Sequence, residues 1–149
     1  MRILHTLTVM FIGSFIIQYF LMSSIMANKM ENITNSLGKA YLSIIMGLYM
    51  VLLEIMMHDH QYMVFSMKYY IIIGCLLGLF IYLYRTQKYI TDKEYLKEMI
   101  EHHSMALLTS NKILEKTDNY NTSKLAKNII QKQEDEIRDM KSVLTDLQK

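Results

Sequence analysis

The sequence predicts an all-α protein in which three transmembrane helices lead into a two-helix antiparallel hairpin. Three observations carry that expectation. Long apolar stretches fill the first part of the chain, most charges follow Tyr84, and the charged part shows helical apolar spacing behind capping residues. The 149 residues include no proline, so nothing interrupts a helix from within.

The first apolar stretch, residues 3–27, has no formal charge and is long enough at ~1.5 Å per residue to cross a hydrocarbon layer of ~30 Å. It exceeds the usual apolar core of a secretory leader, roughly 7–15 residues, so a retained span is expected rather than a cleaved one. The second, residues 40–57, carries one acidic residue, Glu54, expected to face a neighbouring helix or the membrane rim. The third, residues 62–84, reaches spanning length only by including Lys68, whose side chain snorkels toward the headgroups. Tyr62, Tyr69, Tyr70, Tyr82 and Tyr84 mark its ends, as amphipathic rings do at an interface. Gly74 and Gly78 form a small-xxx-small surface where another helix is expected to approach, with Cys75 packing beside them. Residues 1–88 are thus read as a membrane anchor, its spans joined by the polar "NKMENITNSLGK" and the short "HDHQ".

Residues 89–149 read as a soluble hairpin. Thr91 and Glu94 form a capping box that starts a helix over 92–115. The polar "KTDNYNTS" ends it, and a second helix is expected over 122–147. The first seam runs Leu96, Ile100, His103, Leu107, Ser110, Leu114; the second runs Ala126, Ile130, Gln133, Ile137, Met140, Leu144, Leu147. A polar residue interrupts each. Folding the chain near Asn119 brings His103 level with Gln133 to Ile137, so the interruptions are expected to meet. Two helices bury little core, and a homo-oligomer or another chain is expected to complete the bundle.

The formal net charge of +2 is small and no basic run interleaves with aromatics, which sets nucleic acid aside. The lipid bilayer is the partner the composition names.

Positions i, i+3, i+4 and i+7 share a helix face, so Met99, His102, His103 and Ala106 can all look toward the facing helix, which offers Gln133, Glu136 and Met140. Imidazole with thioether sulfur favours a soft ion, and copper is the metal this set suits. His102, His103, Met99 and Met140 are the candidate ligands. Gln133, Glu136 and Met105 form the surrounding layer, able to orient an imidazole or simply to pair the helices. The alternative is structural. Methionine occurs 14 times, through all three spans, and is ordinary core filler. A His–Gln or His–Glu pair also satisfies a polar layer and sets hairpin register without metal. A second cluster, "EIMMHDHQYM", puts Met56, Met57, His58 and His60 at the membrane rim, where they could pass a soft metal along. Catalytic patterns are thin. No Glu stands three residues before a His, and neither a His-Glu-x-x-His motif nor a phosphate-binding glycine loop occurs, so no catalytic residue is assigned and a non-enzymatic role is expected.

At "MIEHHSMALLTS…IIQKQEDEIRDMKSVL" the sequence resembles the family catalogued as domain of unknown function 305. Met99, Ile100, His102 and His103 match its Met-Ile-Pro-His-His segment; Ile129, Gln133, Glu136, Ile137 and Met140 match its second motif. Glu101 replaces the usual proline, and "NYNTS" lacks the usual Asp-Pro helix start. The resemblance implies a ferritin-like helical bundle, exported or membrane-anchored, associated in some members with copper binding or resistance. Counting positive charges places Lys29, Lys39, Arg85 and Lys88 together and mildly favours a cytoplasmic hairpin. The resemblance implies the opposite, extracytoplasmic side, which is the expectation adopted. The resulting reading is a membrane-anchored copper-binding protein for sequestration, storage or delivery, with a structural or interaction module as its alternative.

Overall fold

A computed structural model describes residues 2–147. The expected anchor and hairpin extend at their ends to residues 1, 148 and 149, which lie outside the described residues. Among the described residues every regular element is a helix and there is no strand: α1 (Arg2–Ile16), a π-helical turn (Ile17–Leu21), α2 (Met22–Met26), a 3-10 turn (Met30–Asn32), α3 (Leu37–Tyr62), α4 (Met67–Arg85), α5 (Asp92–Leu114) and α6 (Tyr120–Asp146). Three helical stretches, Ile3–Met26, Leu37–Tyr62 and Met67–Arg85, are long and apolar enough to cross a membrane.

The chain divides into two compact units. One holds Met1–Met22 and Leu37–Tyr89; the other holds Ser23–Ser36 and Ile90–Lys149. This corrects the expected split at residue 88, because the connection between the first two spans belongs to the hairpin unit. Ser23, Asn28 and Thr34 find polar partners there.

In the first, apolar unit α3 is central, with α1 and α4 packed along it. Leu7 of α1, Leu48, Val51 and Ile55 of α3, and Ile73 and Leu77 of α4 form the core. The close helix approach is not at Gly74 and Gly78, where an added Cβ would meet nothing within 4 Å; Cys75 beside them is exposed. It is at Gly47, where a Cβ would lie 2.9 Å from the Phe11 ring and 3.2 Å from the Phe11 carbonyl oxygen. One turn earlier on the same face sits Ser43, fully buried, its hydroxyl donating to the Lys39 carbonyl. The spacing rule for small residues was the right one, applied to the wrong helix. Spacing cannot tell a glycine facing a helix from one facing outward.

The second and third helices also differ from their expected bounds. "HDHQ" is the last part of α3 rather than a loop, and the reversal occupies residues 63–66, with Met63 at φ 51°. Asp59 is the cause. Its carboxylate, buried in the last turn of α3, accepts the Ser66 N–H at 2.6 Å and the Ser66 hydroxyl at 2.7 Å, so it caps the start of α4 across the reversal.

The second unit is an antiparallel hairpin of α5 and α6. Thr91 accepts from the Glu94 N–H and opens α5. Asn119 accepts from the Thr122 N–H at 2.9 Å and starts α6 two residues before the expected Thr122. Ile100, Leu107 and Ile137 are the buried core, with Ile130, Met140 and Leu144 packed on them.

Candidate functional site

Halfway along the hairpin, His103 of α5 faces Glu136 of α6. Its Nε2 lies 2.9 Å from Glu136 Oε2, and its Nδ1 lies 2.8 Å from the backbone carbonyl of Met99 one turn earlier. A carbonyl only accepts, so Nδ1 carries a proton and donates it. Both ring nitrogens are occupied. The imidazole is largely buried, 14% exposed, while Glu136 is 53% exposed, which makes this a half-solvated charge-assisted contact worth about 1 kcal/mol.

The neighbouring residues divide. His102 is exposed and lies beside His103 with ring centres 6.4 Å apart, edge to face. It therefore does not enter the interhelical layer, which corrects the expectation that both imidazoles face α6. Consecutive helical residues are turned 100° from one another, and only one can sit on the seam. Gln133, Met99 and Met105 are half-buried, and Met140 packs against the Ile100, Leu107 and Ile137 core. Among the described residues no group of three or more His, Cys, Asp or Glu side chains is placed to hold a metal ion.

His58 Nδ1 lies 3.2 Å from Asp59 Oδ1, and its ring rests 4.7 Å from that of Tyr62. Met56, Met57 and His60 are exposed, and Glu54 is half-buried. Asp59, noted in the sequence only as a member of this cluster, is the residue that organises it.

A second constellation on α5 escaped the sequence reading. Glu101 accepts the Ser23 hydroxyl at 2.5 Å on Oε1 and the Thr34 N–H at 2.9 Å on Oε2. Ser104, fully buried, receives the Asn28 N–H at 2.9 Å on its hydroxyl oxygen and the Asn32 amide at 3.4 Å. Thr34 also donates its hydroxyl to the Lys97 carbonyl at 2.6 Å. Three successive turns of α5 thus hold the strap Ser23–Ser36 by polar contacts. The available signal was a carboxylate, Glu101, in the interior of a helix. A carboxylate in a helix interior two residues before His103 invites the question of what donates to it.

Comparison with known proteins places the chain in a recognisable group. Residues 83–147 match the family described as "Domain of unknown function (DUF305)". An uncharacterized protein of Acanthamoeba polyphaga mimivirus is 35% identical over 136 residues, covering 91% of this chain and 88% of that protein. No solved structure matches.

Proposed function

Because the chain belongs to the family described as domain of unknown function (DUF305), we propose that it is a membrane-embedded, non-catalytic interaction module. Its three apolar helices span a bilayer and its α5–α6 hairpin serves as the surface that pairs with a second copy of the chain. The hairpin lies on the extracytoplasmic side, the side the sequence resemblance implies. The reading is supported above all by His103, whose Nδ1 is hydrogen-bonded to the Met99 carbonyl and whose Nε2 lies 2.9 Å from Glu136 of the facing helix. A small core of three buried side chains leaves the hairpin short of burial by itself, which favours a partner.

Soft-metal binding is the second reading. It is favoured by the exposed His102 next to His103, Met99 and Met140, and by the preference of imidazole and thioether for copper. In it copper displaces Glu136 from His103, for storage, sequestration or delivery, with Met56, Met57, His58 and His60 as a transfer point at the rim.

One experiment separates the two. The purified full chain in lipid nanodiscs is unfolded thermally with and without copper(I), beside His103→Ala and a His102→Ala, His103→Ala double variant. For the interaction module, His103→Ala costs about 1–2 kcal/mol and weakens chemical cross-linking between copies, and copper leaves every melting curve unchanged. A melting temperature of the natural sequence that rises with stoichiometric copper(I), and no longer rises in the double variant, would replace this reading with the metal one.

A further inference from the structure

One flank of α6 carries exposed charge and apolar surface outside the hairpin core. At ~3.6 residues per turn Leu125, Lys132, Glu136, Asp139 and Val143 fall on one stripe, beside the Ile130, Ile137 and Leu144 positions that pack in that core. Leu125 is 61% exposed and Val143 49%. Lys132 and Asp139 are exposed, and neither has an ion-pair partner among the described residues. Glu136 keeps half its surface open beside His103. At the start of the stripe, Leu125 and Ile129 form one wall of a groove whose other wall is Thr109, Ser110 and Ile113 of α5. Along α6 the stripe therefore begins apolar, turns basic, then acidic, and ends apolar.

That order is complementary to itself when reversed. Laid antiparallel about a two-fold axis at the level of Glu134, the stripe sets Leu125 against Val143 of the second copy and Lys132 against Glu136 of the second copy, with Asp139 of that copy one turn further on. A parallel arrangement would stack Lys132 on Lys132 and Asp139 on Asp139, and such like-charge contacts are unfavourable. We propose that this stripe is a homodimer interface in which two α6 helices pack antiparallel, Val143 of each copy seated by the groove beside Leu125 of the other. The inference rests on the reading that the hairpin pairs with a second copy, and gives that pairing a face and a direction. Charge complementarity favours this occupant over another helix. A partner of one charge sign would satisfy Lys132 or Asp139 but not both, whereas a reversed copy satisfies both.

The test uses the full chain in detergent micelles with Cys75→Ser, so that introduced cysteines are the only thiols. Copies bearing Leu125→Cys are mixed with copies bearing Val143→Cys and oxidised. The mixture is expected to form disulfide-linked dimers and each variant alone is expected to form none, because like positions lie about 27 Å apart along antiparallel helices. Lys132→Glu is expected to raise the dimer dissociation constant about ten-fold by analytical ultracentrifugation, since two exposed ion pairs turn repulsive at once. Adding Asp139→Lys to Lys132→Glu is expected to recover part of that loss, which a merely structural effect at either position would not do. Dimers formed by each cysteine variant alone and not by the mixture, or a dissociation constant unchanged in Lys132→Glu, would overturn the proposal. In those cases a dimer still exists, so only this face is refuted, whereas a natural sequence that sediments as a monomer refutes the pairing reading as well.

Discussion

Gly47→Leu is expected to force α1 away from α3 and to lower the stability of the apolar helical unit by about 3 kcal/mol, the upper range for overpacking a close contact. The reason is the approach of Phe11. A Cβ at position 47 would meet the Phe11 ring at 2.9 Å and the Phe11 carbonyl oxygen at 3.2 Å. The ring can swing aside, but the carbonyl belongs to the backbone of α1 and moves only with the helix. Gly47→Ala should therefore cost about 1 kcal/mol, and leucine, which extends the clash by three carbons, considerably more. Gly74→Leu is the control. Its Cβ meets nothing within 4 Å, so it should stay within about 0.5 kcal/mol of the natural sequence. Thermal unfolding in detergent, with cross-linking between α1 and α3 as a second readout, measures both. Equal damage at positions 47 and 74 would show that the close contact is misplaced.

The second large effect is expected at Glu101. Replacing it by alanine removes the acceptor for both the Ser23 hydroxyl and the Thr34 N–H, and hydrogen bonds to a charged group are each worth about 1.5–3 kcal/mol. Discounting for partial solvent access, the strap should lose about 2–3 kcal/mol of local stability. Amide exchange at Asn28 and Thr34 should accelerate roughly 30- to 150-fold, while amides in the middle of α6 keep their protection. Glu101→Gln keeps one acceptor oxygen and should fall between the two. Hydrogen exchange read by mass spectrometry over Ser23–Ser36 provides the measurement. A strap equally protected in Glu101→Ala would mean that Ser104 and the Lys97 carbonyl hold it without the carboxylate.

Much of the hairpin was legible in the residues. Thr91 caps the helix it precedes, and a fold about residue 119 places His103 opposite Glu136, although the second helix starts two residues earlier than its spacing suggested. These succeed because each depends on neighbours in sequence or on one reversal of direction, which spacing encodes. His102 was harder. Its spacing permits a seam position, but the crossing of two helices admits a narrow stripe, and His103 already fills it. The strap was not legible, because a hydrogen bond between Thr34 and Glu101 joins residues 67 apart and leaves no periodic trace.

The same division holds for the whole protein. By itself the sequence determines that the chain is helical, that three of its helices are apolar enough for a bilayer, and that the charged part folds back on itself. Each follows from local composition and a 3.6-residue period. Only the tertiary structure decides which glycine lets two helices meet, which imidazole enters the layer, and that the connection between the first two spans is bonded to α5. Those outcomes depend on how helix faces are turned toward one another and on which polar groups must share a proton donor. Both are properties of packed elements, and no single segment carries them.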